Sequence, residues 1–297
     1  PALHLRNGAC EEEDLSFIKD YGYRVAKSLL KRGINVNWAP VVDIWHPSIT
    51  HHAIGDRAFG KTHTEVCARA GAFLHGMQKI NLHGCLKHFP GQGLATTDTH
   101  LNSAIINDSC DTIYTRETKP FEDLITVIKF VMISHCIYTK IENKEASRSS
   151  IIIDTILRKK LGFSGVVVSD DTSMSAVDNA SLSYTEYALE AVAAGVDLIL
   201  VCKDSERWIK TVEALNREAQ RSPSFNRRLN EAALRVYNYL HTMTLEAQLL
   251  ARACGKTNIH SLEPEDMAAL TMEASALAKV PLSGTNHTVG VDDFHKI

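Results

Sequence analysis

The chain alternates short apolar runs with amphipathic helical patterns along most of its length. Runs of the kind that form buried strands occur at residues 34–40, 82–87, 102–106, 130–134, 165–169 and 196–201. Helical patterns separate most of them, and the first pattern, at 11–32, ends at Gly33. Continuous apolar strands joined by helices are typical of a parallel sheet that is covered on both faces. The alternation therefore restricts the fold to the α/β class.

Two α/β architectures have this alternation, a doubly wound open sheet and a (β/α) barrel. Polar residues follow the carboxyl ends of five different predicted strands, namely Asp43, Lys87 with His88, His135, Asp170 with Asp171, and Lys203. A barrel gathers all its strand ends around one axis, whereas an open sheet gathers only those beside its switch point. The sequence therefore favours a (β/α)8 TIM barrel with six strands in this chain, and we expect the other two upstream of Pro1.

The loop after the second predicted strand concentrates groups that can move protons. Lys87-His88-Phe89-Pro90-Gly91-Gln92-Gly93 is followed four residues later by Asp98-Thr99-His100, and the proline and glycines exclude a helix. Asp98 lies close enough in sequence to bend back onto one imidazole nitrogen of His100, which would raise the basicity of the other nitrogen. His100 would then serve as an acid and a base near neutral pH. A solvated surface loop is the alternative interpretation.

Two adjacent carboxylates, Asp170 and Asp171, end the strand predicted at 165–169. An N-cap for the next segment would explain one of them but hardly both. A carboxylate at the mouth of a barrel can attack the anomeric carbon of a sugar, stabilise an oxocarbenium-like charge or hold a metal. The pair therefore indicates chemistry at this strand end.

These motifs resemble those of bacterial β-N-acetylhexosaminidases of glycoside hydrolase family 3. The loop is similar to the KHFPGHG…DSH loop of that family, with Gln92 where a histidine is usual, and residues 157–174 are similar to its LR…LGFxGVVxSDDLSM signature. Residues 39–43, 54–59 and 194–202 match further family segments in the expected order. The resemblance covers roughly residues 1–245. The family's DQEGGRV segment has no counterpart here.

The resemblance implies a retaining exo-β-N-acetylglucosaminidase that releases terminal β-linked N-acetylglucosamine without a cofactor or a metal. In this family the substrates are mostly peptidoglycan or muropeptide fragments formed during cell-wall recycling. The resemblance makes Asp170 the nucleophile, His100 the acid/base and Asp98 the partner of His100. The residues that it implies for sugar binding are Arg57, Lys87 and His88.

Two other functions stay open on the sequence alone. One is a metal-dependent barrel hydrolase with His88, His100, His135 and Asp170 as ligands, although the close ligand spacing of such sites is missing. A chelator would abolish that activity and spare a glycosidase. The other is a catalytically impaired barrel that only binds sugar, because a fold does not guarantee an activity.

Charge and cysteine content narrow the partners and the location. The formal net charge is -3, the isoelectric point is about 6.6 and the basic residues are dispersed, which gives no reason to expect a nucleic-acid or membrane partner. No segment has the apolar length that crosses a bilayer. The seven cysteines form no CxxC pair, so we expect free thiols and a cytoplasmic location. The expected partner is a small carbohydrate, and the sequence carries no signal of an oligomeric state.

The composition changes near residue 250. Residues 1–249 are predicted to form the barrel domain. Residues 250–297 contain one short helical pattern at 263–279, followed by a tail rich in Gly, Thr, Asn and Asp without periodicity. We interpret this segment as a C-terminal appendage to which no chemistry is assigned.

Overall fold

The computed structural model describes residues 12–49, 54–99, 102–174, 177, 182–203 and 205–253. The chain divides into two compact units, Pro1–Val236 and Tyr237–Ile297, and the boundary falls inside the last helix. The appendage predicted at 250–297 lies mostly outside the described residues. All the functional groups discussed below belong to the first unit.

The strands of the first unit form two parallel sheets. In chain order they are β1 (Cys85–Phe89), β2 (Ile105–Ile106), β3 (Phe130–Ile133), β4 (Ile137–Tyr138), β5 (Val166–Asp171) and β6 (Leu198–Leu200). The larger sheet has the order β1-β3-β5-β6, and β2 pairs with β4 in a separate two-stranded sheet. Every pair in both sheets is parallel. The α/β class and the parallel sheet that the sequence predicts are therefore confirmed.

Two of the six predicted strands are absent from the larger sheet. The run at 102–106 contributes only β2, and the side chain of Ile105 is half exposed, so this short segment covers the region after β3 instead of joining the sheet. The run at 34–40 forms no strand. Isolated parallel bridges join Val36 to His83 and Val41 to Lys87, which places this segment alongside β1. Pro40 interrupts it because proline has no amide hydrogen to donate to a neighbouring strand.

In the residues that the structure describes, seven helices accompany the strands. They are α1 (Glu12–Leu30), α2 (His63–Gln78), α3 (Lys119–Leu124), α4 (Ile151–Lys160), α5 (Tyr184–Ala194), α6 (Ser205–Arg221) and α7 (Pro223–Ala253), with shorter helical turns at Gly55–Arg57, Cys110–Thr112, Ile113–Glu117, Ile125–Val127 and Ala146–Arg148. None of the helices in the described residues is long and apolar enough to cross a membrane.

Local sequence signals account for most helix ends. The hydroxyl of Ser149 accepts a hydrogen bond from the Ile152 amide at 3.2 Å, so Ser149 caps the start of α4. The sequence pattern at 114–127 predicts one helix with Pro120 in its early part, and this prediction is wrong. The chain there forms Ile113–Glu117, α3 and Ile125–Val127 as three short pieces, because Pro120 fits only the first turn of a new helix.

A buried carboxylate ties α4 and α7 to the sheet. Asp197, next to β6, accepts hydrogen bonds from Arg158 Nη2 at 2.5 Å, Arg228 Nη2 at 2.7 Å and Arg235 Nη1 at 3.1 Å. It also accepts from the amide of Val167 in β5 at 2.9 Å. The side chain is fully buried, so one negative charge is surrounded by three guanidinium groups away from water. This cluster fixes α4 and α7 to strands β5 and β6.

The loop after β1 lies directly on the segment that precedes α2. A Cβ atom at Gly93 would overlap the carbonyl oxygen of Ile44, so only glycine fits at this contact. Gly91 has φ +121° and faces Glu117, which is a second place where a side chain is excluded. This close approach brings the loop next to Asp43, the residue that precedes Ile44.

The described cysteines are free thiols, as the sequence predicts; they are Cys67, Cys85, Cys110, Cys136 and Cys202. Cys85 and Cys136 are buried among core residues, and burial raises the pKa of Cys136 to about 12. These two thiols therefore stay protonated and pack as small apolar side chains. The other two cysteines of the chain, Cys10 and Cys254, lie outside the described residues.

Candidate functional site

The carboxyl ends of β1, β3 and β5 lie side by side. The register pairs Phe89 with Ile133 and Ile133 with Ser169, so the residues around these positions come from adjacent strands. His88 lies in β1, His135 follows β3 by two residues and Asp170 lies in β5. Three titratable side chains that are far apart in sequence therefore meet at one edge of the sheet.

Asp43 fixes the orientation of His88. Its Oδ2 accepts a hydrogen bond from His88 Nδ1 at 2.7 Å, and its Oδ1 accepts one from the amide of Gln92 at 2.6 Å. The amide of His88 lies 3.2 Å from both carboxylate oxygens. Both side chains are buried. Because the Nδ1 side of the ring is held in this way, the Nε2 side faces Asp170, with 3.7 Å between His88 Nε2 and Asp170 Oδ2.

Asp170 carries a carboxylate that is prepared to react as an anion. Burial by itself raises the pKa of Asp170, but His88, then His135, the amide of Asp171 and Lys87 together outweigh it and hold this pKa below its ordinary value. The amide of Asp171 donates to Asp170 Oδ1 at 2.8 Å, and Oδ2 is the oxygen that lies towards His88. At neutral pH the group is ionised, as a nucleophile or a stabiliser of positive charge requires.

The neighbouring carboxylate of Asp171 has a different environment. Its Oδ1 accepts hydrogen bonds from the Ser173 amide at 2.9 Å and the Cys202 amide at 3.1 Å, and the Ser173 hydroxyl lies 2.6 Å away. Burial raises the pKa of Asp171, but the hydrogen bonds from Ser173 and Cys202 lower it further than burial raises it. Asp171 therefore fixes the turn after β5, and Asp170 is the member of the pair that is available for chemistry.

The structure describes three of the four other predicted site residues. Lys87 is half-buried in β1, and its charge contributes to the low pKa of Asp170. Arg57 ends the short helix Gly55–Arg57, its side chain is exposed, and its Nε donates to the Ile54 carbonyl at 3.3 Å. Asp98 lies in the loop after β1, where its carbonyl accepts from the Asn102 amide at 3.1 Å. His100 lies outside the described residues, so its pairing with Asp98 stays a prediction.

A protein-family model matches most of this sequence. The model of the glycosyl hydrolase family 3 N-terminal domain matches residues 6–238. The chain belongs to this family. The resemblance inferred from the motifs is therefore confirmed.

Named relatives and solved structures agree with the family 3 assignment. The chain is 34% identical over 203 residues to a beta-hexosaminidase of Glaesserella parasuis, covering 68% of this chain and 58% of that protein. It is 36% identical over 220 residues to one of Methylococcus capsulatus, covering 73% and 64%. The chain thus spans less than two thirds of the length of these relatives. The crystal structure of a beta-N-acetylhexosaminidase from Beutenbergia cavernae matches with TM-score 0.71 and 30% identity, over 76% of this chain and 68% of that one.

Gln92 is a departure from the usual loop of family 3, and the structure shows what it does. Its amide nitrogen Nε2 donates to Thr99 Oγ1 at 3.4 Å, and its Oε1 accepts from the Ser134 hydroxyl at 2.9 Å. The side chain is buried. Gln92 therefore joins the end of β3 to the residue that precedes His100.

Sequence reasoning missed several partners of the family 3 site. It named Asp43 only as a polar residue beyond a strand, and the bond to His88 joins positions 45 residues apart. It named His135 as a polar residue beyond a strand and as a ligand in the metal alternative, and it did not identify the neighbouring Ser147 and Tyr187. The family segment at 39–43 is the signal that could have drawn attention to Asp43.

The described residues contain no group of three or more His, Cys, Asp or Glu side chains that could hold a metal ion. The metal alternative therefore has no ligand set among them. His88 Nδ1 is bonded to Asp43, and His135 Nδ1 is bonded to hydroxyl groups. His100, the fourth ligand of that hypothesis, lies outside the described residues. The geometry therefore supports a carboxylate-centred site.

Proposed function

We propose that this family 3 domain belongs to a retaining exo-β-N-acetylglucosaminidase that releases terminal β-linked N-acetylglucosamine. One observation carries the proposal. The ionised carboxylate of Asp170 lies 3.7 Å from the imidazole of His88, which a second buried carboxylate, Asp43, holds in place. Relatives with 34% and 36% identity are named beta-hexosaminidase, which supports the same activity.

The reaction has two steps in this proposal. Asp170 attacks the anomeric carbon while the glycosidic bond breaks, and His100 gives its proton to the departing oxygen. His100 then takes a proton from water, and that water attacks the anomeric carbon to release the sugar and regenerate the Asp170 carboxylate. Asp98 holds the imidazole of His100 in one orientation. An imidazole in this role avoids a second anion beside the oxocarbenium-like transition state.

Recognition of the sugar falls to polar residues around Asp170. Lys87, His88 and Arg57 bind the hydroxyl groups and the N-acetyl region, and buried polar groups of this kind reject ligands that leave them unpaired. We propose muropeptide fragments as the natural substrates, without a cofactor. The free thiols support a cytoplasmic location.

We also propose that the parallel sheet is part of a (β/α)8 TIM barrel. Its strands follow one another in chain order, β1-β3-β5-β6, and the segment bridged to β1 precedes β1 in the chain. A doubly wound sheet would reverse its order at a switch point. A barrel also agrees with the three strand ends that contribute His88, His135 and Asp170 to one site.

The proposed activity is tested by comparing hydrolysis of an aryl β-N-acetylglucosaminide with hydrolysis of the matching aryl β-glucoside. We expect the N-acetylated substrate to be strongly preferred and NMR of the fresh product to show the β anomer, as retention requires. A chelator should leave the rate unchanged. An α anomer would contradict retention. Binding of N-acetylglucosamine without turnover would favour the catalytically impaired barrel.

The acid/base role of His100 predicts a dependence on the leaving group. Acid assistance matters most when the departing oxygen is basic, so His100→Ala should lower the rate on a poor leaving group by about 10²- to 10⁴-fold. The loss on a nitrophenyl leaving group should be much smaller in the glycosylation step. Steady-state kcat/KM values for a series of aryl substrates measure this difference. Equal losses across the series would instead give His100 a role in binding only.

A further inference from the structure

A buried cluster of three side chains lies behind the site and takes no part in the proposed chemistry. His135 follows β3, Ser147 lies in the short helix Ala146–Arg148 and Tyr187 lies in α5. Tyr187 OH is 2.9 Å from His135 Nδ1, Ser147 Oγ is 3.0 Å from the same nitrogen, and the two hydroxyl oxygens are 2.7 Å apart. All three residues are buried.

Counting protons in this triangle determines the tautomer of His135. With Nδ1 unprotonated, Tyr187 donates to Nδ1 and Ser147 donates to Tyr187, so both hydroxyl protons are used. With Nδ1 protonated, the ring donates to one hydroxyl group, and that hydroxyl group donates to the other. The proton of the second hydroxyl group then has no acceptor within the triangle. A buried unpaired donor is costly, so the first arrangement is favoured. The proton of a neutral imidazole then belongs on Nε2.

His135 follows Ile133 by two residues, and Ile133 pairs with Ser169 in β5, so the ring of His135 lies beside the carboxyl end of β5. Its Nε2 is buried and makes no hydrogen bond of strict geometry to a described residue, but the backbone of Asp171 and Asp170 accepts from this ring, so a proton on Nε2 has acceptors beside it. Burial lowers the pKa of His135, while the carboxylate of Asp170 and the backbone of Asp171 and Asp170 partly oppose this effect. The carboxylate of Asp170 and the backbone of Asp170 and Asp171 therefore lie around the imidazole ring of His135. The imidazole is therefore a neutral group directed at the strand end that carries Asp170.

The two histidines beside Asp170 thus differ in their partners. His88 has a carboxylate at each nitrogen, with Asp43 at Nδ1 and Asp170 near Nε2. His135 has only hydroxyl groups at Nδ1. An imidazole held by hydroxyl donors at Nδ1 is suited to a single proton on the opposite nitrogen.

We propose that His135 is a positioning residue for Asp170, a neutral imidazole whose Nε2–H is directed at the end of β5 by Tyr187 and Ser147. The positioning role rests on the proposed glycosidase activity. The tautomer of His135 does not depend on that activity. Holding the end of β5 keeps the carboxylate of Asp170 aligned with the anomeric carbon, which affects the reaction step more than substrate binding.

The tautomer is tested by ¹⁵N NMR of the histidine-labelled protein. We expect the ring of His135 to show an unprotonated Nδ1 and a protonated Nε2. A Tyr187→Phe, Ser147→Ala double variant keeps the aromatic ring but removes both hydroxyls, and it should lose this preference. Tyr21→Phe, a change in α1, serves as the matched control and should leave the signals unchanged. A protonated Nδ1 in the unaltered protein would overturn the proposal, whatever the activity.

The positioning role is tested by two replacements of His135 that differ in geometry. Glutamine places an amide nitrogen near the position of Nε2, whereas asparagine places it near Nδ1. We expect His135→Asn to lower kcat about 10- to 100-fold with KM little changed, and His135→Gln to recover most of this loss. Equal kcat values for the two variants, or a change confined to KM, would refute the role. If the unaltered protein does not cleave the substrate, the proposed function fails and the NMR result still decides the tautomer.

Discussion

Replacement of Asp170 by asparagine is expected to lower kcat by about 10⁴-fold or more, since loss of a catalytic nucleophile has an effect of this size. Asparagine keeps the shape of the side chain, and its oxygen can still accept from the Asp171 amide as Asp170 Oδ1 does at 2.8 Å. It carries no negative charge and cannot form a stable ester with the sugar. The fold should therefore persist while the chemistry stops.

Two measurements separate this expectation from a general loss of structure. Mass spectrometry after incubation with an activated fluorosugar should show one added sugar on the unaltered protein and none on Asp170→Asn. Asp171→Asn is the matched control, because the Asp171 carboxylate is occupied by Ser173 and Cys202. Its loss of activity should be much smaller. If Asp170→Asn still formed the sugar adduct, Asp170 would not be the nucleophile.

The low pKa of Asp170 also sets the pH range of the reaction. His88, His135, the Asp171 amide and Lys87 together outweigh burial, so this pKa lies below the ordinary value of 3.8. The carboxylate is protonated only below that value. The acid limb of kcat/KM that belongs to Asp170 should therefore lie below pH 4, and any loss of activity nearer neutrality belongs to another group.

Asp197→Ala is expected to lower the free energy of unfolding by about 3–5 kcal/mol, the cost of removing one partner from a buried ion cluster. Three guanidinium groups, from Arg158, Arg228 and Arg235, would lose their common counter-charge. Burial lowers the pKa of Arg158 to about 10; Asp197 opposes this effect, and Arg235 and Arg228 add to it. Without Asp197 these positive groups would repel one another inside the fold. Urea denaturation followed by circular dichroism measures the loss.

A surface ion pair provides the comparison for Asp197. Asp154 and Lys159 are 2.7 Å apart in α4, but both side chains are more than half exposed. Asp154→Ala should therefore change the unfolding free energy by less than about 1 kcal/mol. Similar effects of the two substitutions would mean that water reaches Asp197 and that the cluster does not fix α4 and α7.

Elements with an unambiguous local pattern could be predicted from the sequence. Three consecutive valines, residues 166–168, lie between Gly165 and the polar end Ser169-Asp170-Asp171, so strand β5 and its terminal carboxylates could be predicted. The helical pattern at 184–194 has a capping serine before it, Ser183, and Gly195 after it, and helix α5 has the same bounds. Such signals act within a few residues, where the chain itself supplies the partners.

Features that depend on distant partners could not be predicted. The run at 102–106 has the composition of a sheet strand, but its place beside β4 depends on how the chain turns after β3. Asp43 lies 45 residues upstream of its partner His88, and Tyr187 lies 52 residues downstream of its partner His135. No short pattern in the sequence specifies such contacts. They follow from the packing of whole strands and helices, which brings these hydroxyls and carboxylates to the imidazoles.

Gln92 holds the loop after β1 through hydrogen bonds that do not depend on pH. An amide offers a donor and an acceptor at once in any ordinary buffer, and Gln92 uses both, towards Thr99 and Ser134. The histidine that is usual at this place would lose its acceptor nitrogen whenever it took up a proton. In this chain the attachment therefore does not switch in the range where an imidazole titrates.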